Sequence, residues 1–203
     1  MKDMREVVLY FGEGCKLVPI DIAKSLSDRF EELGNPLVLT PEASQKTAPL
    51  VVFKDNPDFM ATVTQMTINL VVNHTYFEKL ETIIFDVVDA FDDLNISLIK
   101  MGLVYSIFLS PDKVEVAKNR LLNMENLPDD LIDLRLAWYK KIPSKHGDIN
   151  CWERVITDTD QFKDLLFQFD FNTMPDENAN FDMKFIKEIV GIANDYSEER
   201  TDI

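Results

Sequence analysis

Carboxylates are the residues in this chain whose types and spacing could do chemistry. Asp86, Asp89 and Asp93 are separated by steps of three and four, which places them on one side of a predicted helix. A second acidic cluster, in a loop before the last predicted helix, contains Asp176, Glu177 and Asp182. Carboxylates spaced in this way can imitate phosphates and attract a basic partner. They predict an acidic interaction surface.

A third set of acids could hold a metal ion. Asp158 and Asp160 flank a threonine, and Asp170 lies on the polar face of a predicted strand. Hard cations such as Mg²⁺ take oxygen ligands, so these three side chains could form a magnesium site. No calcium-loop glycine follows at the required offset, and solvated acid is the favoured interpretation. The predicted interaction surface therefore comprises Asp86, Asp89, Asp93, Asp158, Asp160, Asp176 and Glu177.

The residues that usually carry catalysis or bind cofactors are sparse. Cys15 precedes a predicted helix, but neither of the two histidines, His74 and His146, is near it in sequence to act as a base. Cys15 and Cys151 form no paired metal-binding or redox motif. The segment Gly12–Cys15 follows a strand but lacks the further glycine or the lysine of a phosphate-binding loop. The sequence predicts no catalytic residue, no metal ligand set and no cofactor.

Charge is the unusual bulk property of the chain. Its 203 residues include 21 Lys and Arg against 36 Asp and Glu, a formal net charge of −15. A field of this sign repels nucleic-acid backbones and anionic lipid, so we expect neither direct nucleic-acid binding nor membrane binding. It favours a basic protein partner, although plain solubility explains the charge as well. The absence of a signal-peptide pattern and the unpaired cysteines predict a cytoplasmic protein.

Strand and helix patterns alternate along the chain in an order that occurs twice. The segment Ile20–Lys24 recurs as Val114–Lys118, each time after an apolar strand and a proline. Periodicity predicts a strand, a helix, three strands and a helix in about 1–94, and the same series in about 95–203. The predicted fold class is α+β, with an antiparallel sheet or two abutting sheets and four helices mostly on one side. No flexible linker separates the halves, so we expect one domain built from two pseudo-repeats.

Several predicted elements position the acids and the core. A stripe from Phe77 to Phe91 predicts a helix that opens with a capping box at Thr75 and Glu78 and carries the first acidic cluster. Phe167, Phe169 and Phe171 alternate with polar residues, which indicates a strand with one buried face. Tyr139 and Trp152 lie in strands where they could be exposed, and Arg135 and Arg154 are expected to form ion pairs across the sheet.

Several segments follow one another in a recognisable order: Val7–Leu9, Ala48–Phe53, the Tyr- and Phe-rich helix after the third long strand, Met101–Tyr105, Leu166–Asn172, and a last helix ending near an acidic tail. This order resembles a sporadically distributed family of bacterial and phage proteins with no assigned activity. The resemblance spans most of the chain. It implies a fold but no reaction, and no functional residue follows from it.

Three functions are compatible with the sequence. The first is a non-catalytic acidic interaction protein that binds a basic protein surface; a specific form of it is a phage-type inhibitor that mimics nucleic acid and blocks a defence nuclease. The second is a metal-dependent hydrolase or nucleotide-processing enzyme. The third is a structural or immunity-type homodimer joined through exposed sheet edges. We rank the interaction protein first.

Overall fold

The computed structural model describes residues 3–12, 19–40, 50–94, 96–117, 119, 135–157, 165–176, 178 and 180–202. Its strands are β1 (Met4–Phe11), β2 (Leu37–Leu39), β3 (Leu50–Phe53), β4 (Phe59–Val63), β5 (Thr67–Asn73), β6 (Leu98–Phe108), β7 (Arg135–Ile142), β8 (Ile149–Thr157) and β9 (Leu165–Asn172). Its α-helices are α1 (Pro19–Arg29), α2 (Leu80–Asp93), α3 (Pro111–Ala117) and α4 (Met183–Thr201). Two 3₁₀ helices, Glu31–Leu33 and His74–Lys79, follow α1 and precede α2.

The nine strands form one sheet in the order β2-β3-β4-β5-β1-β6-β9-β8-β7. Every neighbouring pair is antiparallel. In the middle of the sheet, Val7 of β1 lies opposite Leu70 of β5 on one side and Leu103 of β6 on the other. The central pair is β1 and β6. On the outer side of β1 lies β5, and on the outer side of β6 lies β9. The α+β fold class and the antiparallel sheet are confirmed.

One face of the sheet carries the core because side chains alternate across a strand. In β9, Leu165, Phe167, Phe169 and Phe171 are buried while the intervening residues are partly exposed. Helices cover this face: Phe91 of α2 contacts Phe11 of β1, and Tyr196 of α4 meets both Phe169 and Phe171 edge-on. The opposite face of the sheet has no such cover in the part of the chain that the structure describes, and we call it the open face.

The first half differs from the prediction by one strand. Phe59–Val63 is a strand, β4, which periodicity did not identify; its residues Phe59, Ala61 and Val63 are buried. With β4 included, β3, β4 and β5 correspond in order to β7, β8 and β9. The short strand β2 then extends the sheet beyond β3.

The start of α2 also differs from the prediction. The segment His74–Lys79 is a 3₁₀ helix, and Asn73 rather than Thr75 provides the capping group: its Oδ1 accepts a hydrogen bond from the Thr75 N–H at 3.1 Å. Regular α-helix begins only at Leu80. The predicted capping box at Thr75 and Glu78 is therefore wrong, because the preceding asparagine takes the capping position.

The five-residue sequence repeat is not reproduced residue by residue. Ala23 and Ala117 are both buried, but Ile20 is exposed where the matching Val114 is buried. Conversely, Ile22 is buried and Val116 is exposed. The two helices therefore turn different faces to the core.

Gly102 of β6 lies where the neighbouring strand β9 comes close. The register shift between β1 and β6 falls between Tyr10 and Phe11, not at Gly102. A Cβ at Gly102 would lie 3.0 Å from Oδ1 of Asn172 on β9. A close approach of the neighbouring strand therefore explains this glycine.

No helix in the described ranges is long and apolar enough to cross a lipid bilayer.

Candidate interaction site

Helix α2 is the most unevenly charged element of the fold. Its fourteen residues include five acids and no Lys or Arg. The apolar stripe turns inward, with Leu80, Ile84 and Val87 fully buried. The acids are therefore left at or near the solvent side of the helix layer: Glu81, Asp86, Asp89, Asp92 and Asp93.

One arginine from α1 offsets part of this charge. Arg29 donates from Nη1 to Asp89 Oδ2 at 2.8 Å and from Nη2 to Asp93 Oδ2 at 2.5 Å. Nη1 also approaches the backbone oxygen of Asp86 at 3.5 Å. These hydrogen bonds raise the pKa of Arg29, with the bond to Asp89 contributing most. Two of the three predicted α2 acids thus help to join α2 to α1.

An open groove runs beside the C-terminal half of α2. Its volume is about 440 Å³, and its walls come from α2, the segment leading into β6 and the segment before α4. Phe85, Val88, Ile96 and Phe181 form apolar parts of its lining. Asp89, Asp92 and Asp182 add three carboxylates.

A second hollow of about 310 Å³ continues from the first, since both are lined by Asn180, Phe181 and Asp182. It adds Asp148, from the turn between β7 and β8, and Asp176, from the segment after β9. Within the described residues, no Lys or Arg lines either hollow, and His146 is the basic residue of the second. We call the two hollows together the acidic groove, with Asp89, Asp92, Asp148, Asp176 and Asp182 as its carboxylates.

Local hydrogen bonds fix two of these carboxylates. Asp182 caps α4, because its Oδ1 accepts from the Phe185 N–H at 2.8 Å. Asp176 Oδ1 accepts from the Asn178 N–H at 2.8 Å, and the Asp176 N–H donates to the Ile99 carbonyl at 2.8 Å. Each carboxylate is thus held in place through one of its oxygens.

The structure brings together part of the predicted surface. Asp89 and Asp176 line the acidic groove, and Asp86 and Asp93 lie on the adjoining helix α2. Asp158, Asp160 and Glu177 lie outside the described residues. The sequence did not single out Asp92 or Asp148. It assigned Asp182 only to an acidic loop, although its position directly before an apolar helical stripe is a signal for an N-cap.

Of the residues considered for metal binding or catalysis, Asp170 forms an ion pair and Cys151 is buried. Asp170, on the open face, lies 3.6 Å from Arg154 of β8, which is the expected ion pair across the sheet. The part of the chain that the structure describes contains no group of three or more His, Cys, Asp or Glu side chains arranged to hold a metal ion. Cys151 is buried, and burial raises its thiol pKa to about 12, so the thiol is un-ionised at neutral pH. Cys15 falls outside the described ranges.

Comparisons with known proteins provide no family for this chain. No protein-family model matches the sequence, and no curated protein shows significant similarity. Among solved structures, a rolling circle replication initiator protein from Geobacillus stearothermophilus matches with a TM-score of 0.30 and 14% identity, covering 95% of this chain and 78% of that one.

Proposed function

We propose that this protein is a non-catalytic interaction protein that uses the acidic groove to bind a basic surface of a partner protein. The observation that carries the proposal is the composition of the groove: five carboxylates beside apolar walls, with no Lys or Arg among the lining residues described. The net charge of −15 supports the same partner chemistry, because it speeds encounter with a basic protein. The unpaired, buried thiol of Cys151 agrees with a cytoplasmic location.

The walls of the groove suit an arginine-containing partner in particular. Arginine has an aliphatic stem that packs on apolar surface and a planar head that binds carboxylates through two parallel hydrogen bonds. Phe85 and Phe181 offer the apolar contact, and Asp92 and Asp182 offer the carboxylates. A partner that inserts an arginine here would gain specificity as well as charge attraction.

A phage-type inhibitor of a defence nuclease is a specific form of this proposal. The acids Asp86, Asp89 and Asp93 follow one side of α2, as phosphates follow a nucleic-acid strand. Arg29 offsets the charges of Asp89 and Asp93. Mimicry of nucleic acid by α2 would therefore require the partner to displace Arg29 or to bind around it.

Neutralising the groove tests the proposal. The triple variant D92N/D148N/D182N removes three charges, keeps the side-chain shapes and leaves a capping oxygen at residue 182. We expect its affinity for a fluorescein-labelled oligoarginine peptide to fall about tenfold, since each exposed pair contributes a few tenths to 1 kcal/mol. Fluorescence anisotropy across a series of salt concentrations measures both the affinity and its salt dependence, which we expect to be shallower in the variant.

The matched control removes the same charge from another face. D195N/E198Q/E199Q neutralises three exposed acids near the C-terminal end of α4. We expect it to bind the peptide within about twofold of the parent chain, because these acids lie outside the groove. Equal losses in the two triple variants would mean that net charge alone attracts the probe. The proposal would then fail.

The Arg29→Ala variant gives a prediction in the opposite direction. Removing the guanidinium frees Asp89 and Asp93 for a ligand, so we expect tighter binding of the same peptide by about threefold to tenfold. The ion pairs are exposed, and we therefore expect the free energy of unfolding to fall by only about 1 kcal/mol or less. Parallel anisotropy and urea denaturation measurements check both parts, and weaker binding by the folded variant would contradict the groove model.

Capture from the native cell can identify the partner. The parent chain and the two triple variants are used as bait, and the bound proteins are identified by mass spectrometry. We expect a basic protein that is retained by the parent and by the control but lost by D92N/D148N/D182N. A partner retained equally by all three baits would contradict binding through the groove.

A further inference from the structure

The strand β7 carries a second surface, separate from the acidic groove and opposite in charge. In the part of the chain that the structure describes, β7 is the last strand of the sheet and pairs only with β8. In an antiparallel sheet, alternate residues of such a strand direct their backbone N–H and C=O groups away from the sheet. Leu136–Ile142 therefore presents a row of backbone donors and acceptors at the edge of the described sheet.

Large aromatic side chains flank this row on both faces of the sheet. Trp138 is 41% exposed on the helix-covered side, and Tyr139 is 46% exposed on the open face. Tyr139 lies 5.0 Å from the ring of Trp152, and its hydroxyl donates to Asn150 Oδ1 at 2.6 Å. The open-face pair is thus held in place before any ligand arrives, which lowers the cost of binding.

The charge of β7 is opposite to that of the chain. The strand contains Arg135, Lys140 and Lys141 and no acid, in a chain with a net charge of −15. Lys140 lies on the helix-covered side, with Nζ 4.1 Å from the centre of the Tyr196 ring, a contact that leaves the ammonium charge available to an anion. Lys141 alternates to the open face, on the same side as Tyr139.

A hollow of about 410 Å³ lies directly behind the strand on the helix-covered side. Trp138 and Lys140 of β7 line it, with Arg200 of α4 opposite. Two acids also line the hollow: Glu153, which is paired with Arg200, and the exposed Glu199. A side chain directed inward from an added strand would enter this hollow.

We propose that β7 binds an acidic, extended peptide segment of a partner protein as an additional antiparallel strand. The peptide backbone pairs with the outward N–H and C=O groups of β7. Its carboxylates meet Lys140 and Lys141, and its apolar side chains pack on Tyr139 and Trp152. The inference does not depend on the acidic groove, because the residues, the face and the charge of the partner all differ.

Within the described residues, the outward backbone groups of Leu136–Ile142 are what favours a peptide over other occupants. A single-stranded nucleic acid could stack on the aromatic rings and meet the lysines, but it cannot continue the ladder of a sheet. A second copy of β7 could continue the ladder, but it would bring three further cations to the same edge.

Two matched variants and two matched peptides test the proposal on the full chain. The probe is a fluorescein-labelled peptide that repeats two glutamates and two valines, so that an added strand presents both residue types on each face. Its binding is measured by fluorescence anisotropy and by quenching of tryptophan emission. We expect K140E/K141E to weaken binding by about tenfold or more, since two favourable charge pairs become repulsive. The control K184E/K187E makes the same charge change at exposed positions of α4, and we expect less than a twofold effect from it.

Comparison of the peptide with an N-methylated form of it separates strand addition from simple charge attraction. A peptide N-methylated at alternate residues keeps every carboxylate but cannot complete the backbone ladder, and we expect it to lose at least about tenfold in affinity. Equal binding of the methylated and unmethylated peptides would overturn the proposal. So would oligothymidine binding that depends on Lys140 and Lys141 without binding of the acidic peptide, or light scattering that shows a dimer to which the acidic peptide does not bind.

Discussion

Replacing Arg200 with methionine lowers the free energy of unfolding by about 2–4 kcal/mol, because it leaves a buried carboxylate without its cation. Glu153 is 3% exposed on β8. It accepts hydrogen bonds from Arg200 Nε at 3.0 Å and Nη2 at 2.7 Å. Methionine keeps the aliphatic volume of the arginine stem and removes the charge. Urea denaturation of the variant and the parent measures the loss.

The double variant E153Q/R200M is the control for this prediction. Tyr196 donates to Glu153 Oε2 at 3.0 Å, and this bond can persist with glutamine. We expect the double variant to recover about half or more of the loss, since no uncompensated charge then remains in the protein interior. If R200M unfolds at the same urea concentration as the parent, the ion pair does not fasten α4 to the sheet.

Replacing Phe169 with alanine is the second change with a large expected effect, about 3–5 kcal/mol of lost stability. The ring is fully buried and lies 6.0 Å from Phe167, 6.2 Å from Phe171 and 5.8 Å from Tyr196. Its removal opens a cavity where β9 meets α4. Thermal and urea denaturation give the magnitude, provided that both report one cooperative transition.

Leu166 on the same strand provides the matched control. It faces the open side of the sheet and is only partly buried. We expect Leu166→Ala to cost about 1 kcal/mol or less, as substitutions at partly exposed positions usually do. Comparable losses at residues 166 and 169 would contradict a sheet that is covered by helices on one face.

Much of the fold could be predicted because its core obeys simple periodicity. The alternation of Phe167, Phe169 and Phe171 identified the buried face of β9, and the stripe from Leu80 to Phe91 identified the inward side of α2. Strand β4 was missed because Met60 and Thr62 separate its buried residues without a clear polar pattern. The start of α2 was misplaced because Thr75 and Asn73 compete for the same capping role, and the sequence alone does not rank them.

The site was less predictable, because it depends on contacts between distant parts of the chain. Helical spacing placed Asp86, Asp89 and Asp93 on one side of α2, but the arginine that contacts the carboxylates of Asp89 and Asp93 lies 60 and 64 residues away in sequence. The acidic groove likewise joins Asp92 to Asp148 and Asp182, which belong to three separate segments. Local sequence patterns carry no information about contacts between segments that are distant in sequence.

The two proposed surfaces would give the protein partners of opposite charge. The acidic groove lies beside α2 and the start of α4, while β7 lies next to the end of α4. A basic protein in the groove and an acidic strand on β7 would not compete for the same residues. The chain is then expected to link two partners rather than to block one.

The most direct test of the central claim is residue-by-residue mapping of where a basic ligand binds. Amide chemical shifts of the isotope-labelled chain are followed while the unlabelled oligoarginine peptide is added. The proposal predicts that the largest changes occur at Asp89, Asp92, Asp148, Asp176 and Asp182 and at their neighbours, and that they saturate at a single affinity. Small changes spread evenly over all exposed acids, or the largest changes at the C-terminal end of α4, would contradict it.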